Sequence, residues 1–366
     1  MNSRLLAVAL SATLLAACAS RPVLESETRT ASAGPARLRT VPERFVSAPS
    51  PQDELDSLAT WPGEDGKTWL IASAKSTHQL QVYDADTGER LRSVGGKGQA
   101  LGQFKRPNGL AVFGDHVFVV ERDNRRVQVL RLPDFAPLAS FGEAQLRSPY
   151  GLWLHETAPG ELEAYVTDSF MYGDKHDQVP PLNELDQRVR RYRLHFDDAG
   201  RLSSEYQGSF GDTSEDAALR VVESIAGDPA NDRLLIADED DRRLSTLREY
   251  TLAGRYTGRR LPDRSFDAQA EGVTLWSCAD GSGYWIAVDQ LMPRTIFHVF
   301  DRASLAPRGS FRGEVTAHTD GIVLHDAGTV GFPFGALYAV HDDRSVAAFD
   351  LGEIARTLSL SSSCLN

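Results

Sequence analysis

Six residues stand at matched places along this chain: Asp56, Asn108, Tyr150, Glu223, Glu271 and Asp320. Each lies two places before the first apolar residue of a short strand-like run. Each is followed by a small residue, namely Ser57, Gly109, Gly151, Ser224, Gly272 and Gly321 in turn. Small residues leave room for close approach. Four of the six are carboxylates. Acids gathered this way repel one another and hold their protons unless a cation sits among them. Hard oxygen ligands in this number suit Ca2+, which takes about 6–8 of them. Zinc is disfavoured, because His78, His176, His318 and His341 are scattered without ligand spacing. There is no Gly-x-Ser-x-Gly elbow and no His-based phosphatase signature.

The richest stretch is Val222–Asp241. Glu223 precedes a short apolar run, Asp228-Pro229-Ala230-Asn231-Asp232 makes a turn, and Leu234-Leu235-Ile236 leads into the acids Asp238 to Asp241. Antiparallel pairing of the two runs returns Glu223 and the acids to one end. The corresponding ends elsewhere are Lys75, Glu121 to Asp123, Asp168, Glu239, Asp289 and His341 with Asp342. They predict a second acidic tier with interspersed cations: Lys75, Arg106, Arg125, Lys175 and Arg344. Acids and glycine also gather in loops simply because loops are polar and turn, which is the competing explanation.

The elements that must position these residues repeat. A first run recurs as Leu58–Trp61, Leu110–Phe113, Leu152–Leu154, Ile225-Ala226, Val273–Trp276 and Ile322–Leu324. A second run recurs as Trp69–Ala72, Val117–Val120, Ala164–Thr167, Leu234–Ala237, Tyr284–Ala287 and Ala336–Ala339. A third alternates polar and apolar, as in Gln79–Tyr83 and Ile296–Phe300. Continuous apolar runs suit strands buried on both faces, and alternation suits a more exposed strand. Six units of roughly fifty residues with four short strands each predict an all-β, six-bladed β-propeller over 45–358. An elongated β-solenoid has shorter repeats. Arg44-Phe45-Val46 is expected to add a strand to the last blade and close the ring. No sustained helical periodicity appears beyond the leader. Ser169–Gln187 is an insert in the third unit, and loops of that length often act as lids.

The net charge of −12 over 366 residues argues against a nucleic-acid partner. Arg4, the apolar Leu5–Leu14 and Leu15-Ala16-Ala17-Cys18 read as a lipoprotein signal peptide over 1–18, with cleavage before Cys18 and lipidation of its thiol. An ordinary signal peptide is the other reading. Ala19 and Ser20 resemble the outer-membrane sorting pattern of bacterial lipoproteins. The expected location is therefore the cell envelope, with the lipid as the sole membrane contact; whether the chain faces the periplasm or the surface is left open. Residues 19–44, rich in Ser, Ala, Pro and Arg, read as a flexible tether, and 359–366 as a tail. Cys278 and Cys364 either pair, pinning the tail to the fifth repeat, or stay as two thiols. A monomer is expected.

Two functions follow from a calcium-filled acidic mouth. Ringed by Lys and Arg, it could hold a phosphorylated substrate and activate water against phosphorus. Alternatively, calcium is structural and the propeller is a non-catalytic binding platform in the cell envelope.

Several segments resemble the β-propeller phytases, calcium-dependent hydrolases of myo-inositol hexakisphosphate. Leu55-Asp56-Ser57-Leu58-Ala59-Thr60-Trp61 is similar to that family's Asp-Asp-Pro-Ala-Ile-Trp start. Glu223, with Glu239 in Ile236-Ala237-Asp238-Glu239-Asp240, resembles its Glu-Gly and Ile-Ala-Glu-Glu-Asp pair. Ala270-Glu271-Gly272-Val273-Thr274 resembles Ile-Glu-Gly-Leu-Thr, and Thr319-Asp320-Gly321 with Phe332-Pro333-Phe334-Gly335 resembles Thr-Asp-Gly and Phe-Pro-x-Gly. The likeness spans Asp53–Asp350. It implies a 3-phytase-like phosphomonoesterase. It makes Asp56, Glu223, Glu239, Glu271, Asp320 and Asp326 calcium ligands. Tyr150 would sit beside the metals, and Lys75, Arg125 and Lys175 would grip phosphate. Glu223, Tyr150 and Lys75 would serve the reaction itself. The chain departs from the family at Ser57, Leu58, Ser76 and Gln269. Gly96–Phe104 followed by Arg106–Val112 resembles the repeat of NHL-type propellers over one blade.

Overall fold

The computed structural model describes residues 38–240 and 242–365; the leader, Cys18 and the tether through 37 lie outside them. Six small sheets form, and each begins with a four-stranded antiparallel meander or its equivalent. The inner strands are Leu55–Pro62, Pro107–Phe113, Pro149–Ala158, Val222–Asp228, Ala270–Ser277 and Ile322–His325. Each packs beside the next, and the sixth returns to the first. The chain is a six-bladed β-propeller.

The apolar runs explain this arrangement. The second strand of blade four, Arg233–Asp238, is buried along its whole length, because both faces of the sheet meet neighbouring sheets. Six apolar clusters fill the gaps between successive blades. Trp61, Ile71, Val82, Phe104, Val117 and Val119 join blades one and two, while Leu58, Leu70, Tyr83, Tyr338, Val340 and Val346 join blade six back to blade one.

Closure comes from the N-terminal side, as expected. Phe45-Val46 pairs antiparallel with Ser345–Asp350 as the outer strand of blade six. One further strand was not expected. Leu38–Thr40 pairs in parallel with Pro307–Arg312 as a fifth strand of blade five, so ordered sheet begins inside the stretch read as tether. All three of its residues are exposed, so it carries no apolar pattern to reveal it. Glu43 then accepts hydrogen bonds from the backbone N–H groups of Glu314, Val315 and Thr316 at 2.8–3.0 Å.

A short helix, Leu351–Leu358, follows the last strand. Asp350 caps it by accepting from the Glu353 N–H, and Leu351, Ile354 and Ala355 enter the cluster between blades five and six. Eight residues are too few to show as helical periodicity against a background of strands. Cys278 and Cys364 form a disulfide, which ties the tail to blade five. Among the described residues no helix is long and apolar enough to cross a membrane.

Candidate metal centre at one mouth of the channel

A β-bulge places each ring residue in the first five blades. In blade four Val222 pairs with Asp238, but the next pair is Ile225 with Ile236, so Glu223 and Ser224 face a single residue. The same slip occurs at Asp56-Ser57, Asn108-Gly109, Tyr150-Gly151 and Glu271-Gly272. A bulge bends its strand and re-aims a side chain. Asp320 reaches the same ring from just before the inner strand of blade six.

The small residue after each ring position has a steric cause. A Cβ on Gly151 would lie 2.3 Å from the Glu223 carbonyl oxygen, and one on Gly321 would lie 2.3 Å from that of Asp56. Each glycine thus faces the ring residue of the next blade. Backbones this close leave no space for a side chain, and they draw the ring tight. Thr167 Oγ1 reinforces the contact by accepting from Gly151 N and donating to the Glu223 carbonyl, both at 2.7 Å.

Glu223, Glu239 and Glu271 come together, each offering an oxygen within 4.8 Å of the others. Glu239 and Glu271 are buried and share a hydrogen bond, while Glu223 is half-buried and accepts from the Tyr150 hydroxyl. Burial, then the charges of Asp56 and Asp320, push Glu223 up to about 8. Burial and the charges of Glu223 and Glu271 hold Glu239 well above the carboxylate range; Glu271 is raised in the same way by burial, Glu223 and Asp320. Asp320 is pushed up to about 7 by burial and the Asp56 charge. Tyr150 is likewise held well above its ordinary value by burial and the nearby acids.

Across the ring, Lys75 Nζ lies 3.2 Å from Asp320, 3.4 Å from Asp56 and 3.7 Å from Glu54. Burial works against its charge, yet these three acids outweigh it and hold the ammonium protonated well above its ordinary range. Glu54 also binds Arg106 at 2.7 Å. Gln290 donates to the other oxygen of Asp320. His318 and Asp343 gather beside Asp320.

The expected second acidic tier is corrected. Glu121, Asp168 and Asp289 do not face the channel; with Asp238 they clamp the loop entering each inner strand. Asp168 accepts from Ser148 N at 2.7 Å, Asp289 from Ala268 N at 2.8 Å, Asp238 from Val221 N at 3.1 Å and Glu121 from Lys105 N at 3.0 Å. Arg190, His298, Arg248 and Arg126 meet the same carboxylates from the third strands. In blade six His341 Nδ1 takes the equivalent bond from Ala317 N. The channel-facing residues lie one place later, at Lys75, Glu239 and Gln290. Successive residues on a strand point to opposite faces, and aligning apolar runs alone mixed the two sets.

Three further expectations separate from the cluster. Asp326 is exposed and follows His325 at the far end of the blade-six inner strand, so it does not join Asp320. Its position after the apolar run, rather than before it, was the sign. Arg125 and Lys175 are both exposed, in the turn after the second strand of blade two and in the 169–187 insert. Lys75 is bound to acids rather than standing free for phosphate. The base of the insert is held by Arg188, which donates to the carbonyls of Asp168, Phe170 and Leu219, and by Arg147, whose guanidinium lies 3.7 Å over the Phe170 ring. Glu54 and Gln290 are site residues that the sequence reading missed; Gln290 occupies the Lys75 and Glu239 register and is found once that register is shifted by one. Next to the ring the inner strands line a cavity of about 570 Å3, with Leu58, Leu110, Leu152, Ile225, Val273 and Ile322 on its wall.

The donor set suits a hard cation. It is all oxygen, mostly carboxylate, and buried Glu239 Oε1 accepts no hydrogen bond, while Asp56 Oδ2 has the Lys75 ammonium at 3.4 Å. Such a set is costly unless a cation or protons compensate it.

No protein-family profile matches the chain, and no curated protein sequence does either. Among solved structures it is similar to a hydrazine synthase of Kuenenia stuttgartiensis at 14% identity, over 87% of this chain and 83% of that one, with a TM-score of 0.48. It is similar also to a catalytically inactive virginiamycin B lyase from Staphylococcus aureus with quinupristin, at 10% identity over 83% of this chain and 98% of that one, with a TM-score of 0.46. Likeness at this level carries no argument about activity.

Proposed function

We propose that the chain is a calcium-dependent phosphomonoesterase acting on a polyphosphorylated small molecule, with myo-inositol hexakisphosphate as the first candidate. The observation that carries this is the gathering of Asp56, Glu223, Glu239, Glu271 and Asp320 at one mouth, with the buried Glu239 Oε1 left without a hydrogen-bond partner. These carboxylates are the proposed calcium site, with the converging Glu223, Glu239 and Glu271 at its centre. Calcium bound there would neutralise phosphate charge and lower the pKa of a water molecule. The chain's own groups do the rest. Tyr150 orients Glu223 through its hydroxyl. Glu239 and Glu271 share a hydrogen bond, and a cation binding there would displace their proton to solvent. Arg125 and Lys175, both exposed, are proposed to attract phosphate. The likeness to β-propeller phytases at these same positions supports the reading. The protein is proposed to reach the cell envelope through a lipid on Cys18, to act as a monomer and to bind no nucleic acid.

One observation favours the second reading, a non-catalytic calcium-stabilised binding platform: Lys75 is engaged by Asp56, Asp320 and Glu54. Phosphate release from myo-inositol hexakisphosphate across a calcium titration separates the two. Release that rises with calcium is expected. Calcium binding with no release at any calcium level ends the enzyme reading.

A further inference from the structure

The ring is not uniform. On one side Lys75 Nζ reaches Asp320, Asp56 and Glu54 within 3.7 Å. Asp320 is satisfied at both oxygens, by Lys75 and by Gln290. Glu54 is further bound by Arg106 and Ser76. On the other side Glu223, Glu239 and Glu271 converge within 4.8 Å, and Glu239 Oε1 has no partner although the residue is 3% exposed.

We propose that Lys75 occupies the place of one cation, so that the mouth holds a built-in ammonium on Asp56, Asp320 and Glu54 and a single Ca2+ on Glu223, Glu239 and Glu271. This rests on reading the ring as a calcium site, and it adds the number and the place of the ion. An ammonium is a compact point charge with three donors, and here three carboxylates surround it. It supplies the compensation a metal would supply, with no exchange and no dependence on calcium concentration. The glutamate side has up to six carboxylate oxygens and an orphaned acceptor, which suits the 6–8 oxygens that Ca2+ takes (a figure of about that size, completed by water or phosphate). Lys75 is therefore a counter-ion that sets the stoichiometry of the site.

The test counts ions on the purified full-length protein by calorimetric titration with CaCl2 and by equilibrium dialysis. The native protein is expected to take up a single tightly held ion, Glu239→Gln to lose it, and Lys75→Met to take up a second ion on Asp56 and Asp320. If Lys75→Met fails to fold, the native count still decides. Two or more tight ions on the native protein, or no added ion in a folded Lys75→Met, overturn this inference and leave the calcium-dependent function standing. No calcium binding at all overturns both.

Discussion

Asp238 and Glu239 are adjacent in the chain and serve opposite sides of the same blade. The Asp238 carboxylate accepts from Arg220 N and Val221 N at 3.1 Å each and faces Arg248, inside the blade. Glu239 turns into the channel mouth and meets Glu223 and Glu271. The pleat makes this division, since neighbouring side chains on a strand alternate. Asp289 with Gln290 repeats it: Asp289 holds Asp267 N and Ala268 N, and Gln290 reaches Asp320. One residue of each pair builds the blade and the next equips the site.

This separation predicts opposite outcomes for two neighbouring substitutions. Asp238→Ala strands two half-buried N–H groups and the buried Arg248 guanidinium. It should destabilise the fold on the order of 1–3 kcal/mol, with or without calcium. Glu239→Gln removes the cost of holding a buried carboxyl protonated in a crowded acidic cluster, so its melting temperature in EDTA should rise. The stabilisation by calcium, ~2.7 kcal/mol at a hundred-fold excess over Kd for the native protein, should disappear. Thermal melts with EDTA and with CaCl2 check both. A calcium-dependent melt retained in Glu239→Gln would remove Glu239 from the ligand set.

Gly151→Ala tests the packing that draws the ring together. The added Cβ would meet the Glu223 carbonyl at 2.3 Å and Thr167 Oγ1 at 3.2 Å. Backbone cannot yield as a flexible side chain does, so the inner strands of blades three and four must part. A loss of roughly 1–3 kcal/mol is expected, together with weaker calcium binding, because Glu223 moves with its carbonyl. Ser224→Ala occupies the same register in blade four, where a Cβ is already accommodated, and should change stability little. Equal losses in the two variants would show that close approach is not what the glycine provides.

The blades and the ring were legible in the sequence because both rest on local patterns. Apolar runs mark strands, and a polar or aromatic residue followed by a small one, two places before the run, marks each bulge. What was not legible came from contacts between distant segments. Lys75 and Asp320 lie 245 residues apart and meet only because blade six closes onto blade one, so no local pattern reveals that contact. The face on which Asp168 and Asp289 lie depends on the pleat relative to the bulge, and an alignment of apolar runs does not fix that. Leu38–Thr40 is held by backbone hydrogen bonds at an exposed edge, and its side chains carry no record of them.

The disulfide between Cys278 and Cys364 closes a loop across a separation of 86 residues. Both sulfurs sit in the cluster that also holds Trp276, Ile354 and Ala355. On loop entropy alone the link stabilises by on the order of 4 kcal/mol. Cys364→Ser should therefore lower the melting temperature by several degrees and free the tail from blade five. The acidic mouth involves neither cysteine, so the calcium count should be unchanged. Differential scanning calorimetry with a parallel calcium titration checks this. An unchanged melting temperature would mean that helix Leu351–Leu358 holds the C-terminal end without the link.

The raised carboxyl groups make stability without calcium depend on pH in a definite direction. Glu223 is pushed up to about 8 and Asp320 up to about 7, by burial first and then by Asp56 and the other acids. In the unfolded chain both titrate near ordinary carboxylate values. Between pH 5 and 8 the folded protein therefore binds more protons than the unfolded chain, and its stability falls as pH rises. Each such proton contributes at most about 1.4 kcal/mol per pH unit, and solvent at the half-buried Glu223 trims this. In EDTA the melting temperature should fall from pH 5.5 to pH 8.5. In CaCl2 the cation takes the place of the protons, so the fall should flatten or reverse and calcium affinity should strengthen over the same window. Melts at both pH values in both buffers decide it. A melting temperature in EDTA that stays level, or climbs, from pH 5.5 to 8.5 would mean that the folded ring keeps its carboxylates ionised with no cation from solution, leaving Lys75 as sufficient compensation.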